Sequence, residues 1–296
     1  MIPDRAPPAV RDKTPSRGRS REMKASVGPM LTHIPLLLLT AAYFALLLRV
    51  PLWIALIPGV VIAHRLGTLL HEYIHGIPFR RYRANHAVVT VWDGLLLLFG
   101  SYEMFRVSHL LHHQWLNSDH DDARRKTETI GRGRIRDVIT GLEVVQYLMK
   151  FVQVLGGAEP RIRRGRMLVS SIISCAVIVG FILVGRGDVP AKMGLITLLT
   201  VLVPVSLQSA IEHYSPPENR GFANEYRVLL PRFNINRHIH HHENPSLPWY
   251  RLQWRTERPL NRRSYVSYWY HVFIKRDYEL MRPMGAEEAR GDLQAE

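Results

Sequence analysis

Four stretches of this chain are too long and too uniformly apolar for the surface or core elements of an ordinary water-soluble domain. They run from Thr32 to Leu48, Leu52 to Ile74, Val169 to Val184 and Ala191 to His213. A helix rising about 1.5 Å per residue needs roughly 20 residues to cross a hydrocarbon core of about 30 Å. The expected fold is therefore all-α and integral to a membrane, with four transmembrane helices in two hairpins. The turns fall at Arg49 to Pro51 and Gly185 to Pro190, each too short to hold a domain. A fifth apolar stretch, Val88 to Tyr102, is too short to cross and is expected to be buried or re-entrant.

The charges lie between the apolar runs. Of 39 Lys and Arg, 7 precede the first run, 15 fall between residues 76 and 166, and 13 follow residue 213. Only Arg49, Arg65, Arg186 and Lys192 lie elsewhere. This bias predicts a multi-pass protein with both termini, the central loop and a helical cap on the cytoplasmic side. The formal net charge of +14 does not indicate nucleic-acid binding, because the basic residues form no single stripe interleaved with aromatics. The one cysteine, Cys175, lies inside an apolar run, so no disulfide can form within the chain and the expected compartment is reducing. Residues 1–30 read as a basic disordered tail, 31–255 as one membrane domain and 256–296 as a cytoplasmic C-terminal segment. A cleaved signal peptide is not expected, since the first apolar run starts too late.

Within 137–155, Val138, Leu142, Val145, Leu148, Val152 and Leu155 recur at helical spacing opposite Glu143, Gln146, Lys150 and Gln153. The basic RIRRGR follows at 161–166. This is either an amphipathic helix on anionic lipid or a surface helix covering the cytoplasmic cap.

The short stretch HEYIH, residues 71–75, ends the second apolar run. It matches the H-E-x-x-H of zinc peptidases, with Glu72 as base, and also the looser H-x-x-x-H used for other metals. The other histidines bear on that choice. His71 and His75 are four residues apart and share a helix face. HLLHH aligns His109, His112 and His113, and HIHHH aligns His238, His241 and His242, while His213 stands at the end of the fourth run. Nine imidazoles exceed what one catalytic zinc uses, which is three protein ligands and an open position; two irons fit the number better. Glu72, Glu212, Asp121 and Asp122 are candidates to accept the free N–H of ligating rings. His33, His64, His86, His120 and His271 read as interface anchors or satisfied hydrogen-bond donors, and His240 as a neighbour within its box that points off the shared face.

Taken together, HEYIH, HLLHH and HIHHH, in this order and with hairpins between them, resemble the three histidine boxes of the membrane fatty acid desaturase and hydroxylase superfamily. The resemblance covers roughly residues 30 to 255. FNINRHIHHHENPSLPWYRL is similar to the family's Asn ahead of the last box and Pro-x-x-Pro-aromatic after it. The resemblance implies that the eight box histidines and His213 bind two non-haem iron ions, that O2 is co-substrate, and that a lipid or fatty acyl chain is desaturated. Hydroxylation or ketolation of a lipid or carotenoid is the alternative on the same site. A zinc peptidase using HEYIH, or a non-catalytic metal-binding protein, is the alternative from another class. Ser209 stands where acyl-CoA desaturases carry Asn, which counts against that branch. With no fused cytochrome b5 domain visible, an external electron donor of ferredoxin or rubredoxin type is implied. Arg80, Arg81, Arg83 and Arg237 are candidate contacts for an anionic head group or for that carrier, unless they serve only as topology signals.

Overall fold

The computed structural model describes residues 28–79, 81–115, 143–157, 161–206, 208, 212, 233–253, 270 and 274–275. The helices are α1 Gly28–Arg49, α2 Leu52–Ile74, α3 Tyr82–Leu95, α4 Ser101–Trp115, α5 Glu143–Leu155, α6 Arg164–Leu183, α7 Asp188–Thr200 and α8 His238–Glu243. A π-helical turn, Val201–Val205, prolongs α7 around Pro204, which has no backbone N–H to give. No strand occurs among the described residues.

Four helical stretches are long and apolar enough to cross a membrane: Met30–Arg49, Leu52–Ile74, Arg164–Leu183 and Asp188–Val205. The second coincides with its expected run. The fourth starts at Asp188 and not at the expected Ala191, because Pro190 is tolerated in a helix's first turn; its expected end, His213, lies outside the described residues, and the span is described as far as Val205. Ser206, Gln208 and Glu212 are helical beyond it. Leu37, Leu38, Trp53, Ile57, Ile172 and Leu183 stay exposed on these helices, an apolar outer surface suited to lipid. Inside, Tyr43 and Leu47 of α1, Leu66, Leu69 and Leu70 of α2, and Val189, Met193 and Ile196 of α7 form the core.

Two of the isolated basic residues join the two short connections. Arg186 donates to Leu48 O (2.8 Å), and Lys192 to Leu47 O (3.1 Å) and Val50 O (3.3 Å). They satisfy carbonyls that the end of α1 leaves without helical partners. The α1–α2 and α6–α7 connections therefore lie at the same end of the molecule.

The apolar stretch 88–102 is helix, break and helix. Leu97, Phe99 and Gly100 adopt left-handed φ values of 56, 52 and 87°. For the two non-glycine residues this costs about 1–3 kcal/mol each, so the surroundings must impose it. Asp93 does so. Its carboxylate accepts from the N–H of Gly100 (2.6 Å) and of Tyr102 (3.0 Å), capping the first turn of α4, and from the hydroxyl of Ser170 on α6. Gly94 packs so closely on α6 that a Cβ there would stand 2.5 Å from Ile173 Cβ. At Gly100 a Cβ would meet Met167 Cα at 2.8 Å. The break rests on the first turns of α6, and the segment turns back along it.

α5 packs on α4 through buried Val154 and a Lys150–Ser108 hydrogen bond, leaving Leu148, Met149, Phe151 and Val152 facing outward. The expected start of this helix at 137–142, the tail before residue 28, most of 256–296, and Arg80, Asp121, Asp122, His120, His213 and His271 lie outside the described residues.

Candidate metal centre

Each box lies on a helix whose neighbours fix it. α2 carries His71 in its last turn, with His75 as its C-terminal cap residue. α4 carries His109, His112 and His113, and it is held at its start by Asp93 and one turn before the box by Glu103 and Arg106. Arg106 donates to both oxygens of Glu103 (3.0 and 2.8 Å), and Arg166 and the Arg163 N–H of the α6 region reach the same carboxylate at 3.3 and 3.2 Å. Burial pushes the Glu103 pKa up, but Arg106 and Arg166 outweigh it and hold the group below its ordinary value.

α8 has six residues and cannot hold its shape alone. The chain after it supplies the support. Asn234 Nδ2 donates to Trp249 O (3.0 Å), Arg237 donates to Leu252 O, and the Gln253 N–H donates to His240 Nδ1 (2.9 Å). His240 thus points away from the other box histidines. Arg237, a candidate head-group contact from sequence, is used here to fasten the third box.

The eight box histidines converge in two adjacent groups. His71, His75, His109, His113 and His241 form one; His112, His238 and His242 form the other; within each group the ligand atoms lie within 4.8 Å of one another. In the first, His109 Nε2 is 2.7 Å from His71 Nε2, 3.0 Å from His75 Nε2 and 2.9 Å from His113 Nε2, while His241 Nε2 reaches His113 Nε2 at 3.1 Å. In the second, His242 Nε2 is 3.3 Å from His112 Nε2 and 3.0 Å from His238 Nε2. His112 and His113, consecutive on α4, go to different groups, as do His241 and His242 on α8. This follows from helical geometry, since neighbours diverge by about 100°.

The donor set fits metal ions. So many Nε2 atoms aimed at two points offer lone pairs that one another's single N–H cannot all satisfy. Burial, and then neighbouring rings, hold His75, His109, His113 and His241 well below the ordinary imidazole pKa, which keeps them neutral as ligands must be.

Glu72 does something other than what HEYIH suggests in isolation. Its oxygens accept from the Thr32 hydroxyl (3.1 Å) and the Trp249 N–H (2.6 Å). It ties α1, α2 and the segment after the third box together, and it belongs to neither ligand group. A zinc peptidase needs that carboxylate beside a metal-bound water. Glu212 lies next to the second group, its Oε2 3.7 Å from His238 Nε2. Among the other histidines, His64 bonds Gln208 and His33 bonds Tyr73, whereas the buried Nε2 of His86 has no hydrogen-bond partner. Asp93, Glu103, Arg106, Thr32 and Trp249 were not apparent as site supports from sequence. Asp93 carried the one usable sign, an acid set among apolar residues.

Helices long enough to span a membrane, together with two polyhistidine groups able to hold metal, define the class as a membrane protein with a candidate metal centre. The model of the fatty acid desaturase family matches residues 48–272, about three quarters of the chain. The chain belongs to that family. No curated protein and no solved structure matches it.

Proposed function

We propose that this protein is an O2-dependent diiron desaturase acting on the acyl chain of a membrane lipid. The observation that carries the reading is the division of eight box histidines into two adjacent ligand groups, with box one, box two and box three all represented. His71, His75, His109, His113 and His241 would hold one iron and His112, His238 and His242 the other, with His213 as a ninth ligand. Glu72, Glu212 and Asp121 would support the ligand set.

Two irons supply activation of O2 and removal of hydrogen from an unactivated C–H bond. The protein's share is to hold the ligands, keep the acyl chain dry and set which carbon reaches the metals. Taking two hydrogens from the lipid while O2 becomes two waters requires two further electrons and two protons, so a reduced carrier of ferredoxin or rubredoxin type is the third participant. The distribution of basic residues supports a cytoplasmic side for both termini and the site, with α1–α2 and α6–α7 as two hairpins. The outward apolar face of α5, followed by exposed Arg161, Arg163 and Arg164, suits an anionic leaflet.

The test is expression in a host lacking the activity, followed by mass spectrometry of total lipids and pigments. Loss of two hydrogens from a lipid acyl chain is the expected result. Gain of one oxygen would assign hydroxylation, and unchanged lipid in the presence of a working electron carrier would refute the reading. Cysteine labelling of residues 110–135 from the outer face would refute the topology.

A further inference from the structure

Among the described residues, one acidic side chain stands beside the ligand nitrogen of a box histidine in the three-histidine group. Glu212 Oε2 is 3.7 Å from His238 Nε2, and the same nitrogen faces His242 Nε2 at 3.0 Å. Two ligand atoms each about 2.0–2.2 Å from one ion lie at most about 4.4 Å apart, so one ion can bridge the His238–Glu212 separation. The carboxylate approaches the three-nitrogen group from the His238 side without being part of it.

A directed row of side chains leads to the carboxylate. Gln208 Nε2 donates to both of its oxygens, at 2.8 and 2.9 Å. With the amide nitrogen so engaged, the amide oxygen faces His64 Nε2 at 2.7 Å. That contact is a hydrogen bond when His64 carries its proton on Nε2, which leaves Nδ1 as the acceptor, and Arg65 Nη1 meets Nδ1 at 3.1 Å. The polarity is consistent from end to end: Arg65 to His64, His64 to Gln208, Gln208 to Glu212, where it meets a group that accepts only. Reversing the amide would set its oxygen against the carboxylate and its N–H2 against the proton of His64.

Electrostatics gives the arrangement a purpose. Three neutral imidazoles leave the full charge of a divalent ion uncompensated in a buried place, and an anion a few ångströms away offsets it. Glu212 and His238 are both buried. The five-histidine group has no such acid among the described residues, because the Glu72 oxygens are turned to Thr32 and Trp249.

We infer that Glu212 is the anionic partner of the metal ion at the three-histidine group, and that Gln208 and His64 are positioning residues that hold its carboxylate toward that ion. The inference rests on the metal-centre reading above. It makes the two metal positions unequal, one surrounded by neutral nitrogens and the other by nitrogens and a charge.

The purified full chain, reconstituted anaerobically with Mössbauer-active ferrous iron, tests this. Wild-type protein should hold two irons in two distinguishable environments. Glu212→Gln should lose or alter one environment and leave the other as it was. Gln208→Leu and His64→Phe should weaken that same iron by about 10–100-fold in competition with a chelator, the usual effect of removing a supporting partner. Two unchanged environments in Glu212→Gln, or equal loss from both, would overturn the inference. If that variant does not fold, His64→Phe and Gln208→Leu decide alone: selective weakening of one iron supports the chain of donors, and wild-type retention or equal weakening overturns it. Wild-type protein that takes up no iron would instead overturn the metal-centre reading itself.

Discussion

Boxes two and three have the same spacing, H-x-x-H-H, and the structure uses them in opposite senses. In box two the outer pair, His109 and His113, serves the five-histidine group, while His112 crosses to the other. In box three the outer pair, His238 and His242, serves the three-histidine group, while His241 crosses back. Their supports differ as well. Box two lies on a 15-residue helix anchored by buried polar bonds, and box three on six residues held by the segment that follows. Spacing sets which side chains of a box stay together, and the support decides which group they face and how firmly each is held.

The largest effect should come from breaking the crossing itself. His109→Ala removes the ring that faces three others and should abolish product and lower bound iron. His241→Ala should deplete the same iron as His109→Ala despite lying in box three, and His112→Ala should deplete the iron of His238 and His242. Iron counts and spectra of the purified variants check this. Depletion grouped by box instead of by crossing would disprove the assignment.

Glu72→Ala should come next, because it frees Trp249 and so loosens box three while leaving His71 in place. Affinity for the iron at the three-histidine group should fall about 10–100-fold, with the five-histidine group less affected. Glu72→Gln keeps one acceptor and should lose less. Complete loss of activity in Glu72→Gln, with full activity in His112→Ala and His241→Ala, would restore the peptidase reading.

The comparison can also be sharpened by pH. His75, His109, His113 and His241 all belong to the five-histidine group and have depressed values in the fold. As pH falls below about 6.5 the unfolded chain binds protons there and the native chain does not, so stability present above that pH is lost, by up to about 1.4 kcal/mol per pH unit for each ring. Metal-stripped protein in detergent should melt progressively lower between about pH 7 and about pH 5.5, and His113→Gln should flatten that slope. An unchanged slope in the variant would show that the rings do not cause it.

Asp93→Asn should have the smallest effect on the metals. It should lower the melting temperature, at a cost of about 1–2 kcal/mol for a weakened helix cap, and should disturb box two more than box three. Equal disturbance of both iron environments would show that α4 is positioned by something other than its cap.

Local regularity was legible in the sequence, and contact between distant residues was not. The second span follows from length, and the four-residue pairs His71 and His75, His109 and His113, and His238 and His242 follow from period, as does the outward turn of His240, whereas the crossing of His112 and His241 to the other group does not. The fourth span starts earlier than expected, because an apolar run does not reveal a proline accommodated in a first turn. Glu72 and Trp249 are 177 residues apart and His64 and Gln208 are 144 apart, and no short pattern announces such pairs. Asp93 lies only seven residues from Gly100, yet its partner is set by a left-handed break that the leucines around it do not signal.

That break also makes α4 a ruler. Its zero mark is the Tyr102 N–H, pinned by Asp93, and its reading is the direction of His109 seven positions later. One residue inserted between them would advance the box by about 1.5 Å and swing it by about 100°, while leaving every histidine, and every motif a sequence search would look for, intact. In this protein the distance along the chain from cap to box is as much a part of the candidate metal centre as the imidazoles are.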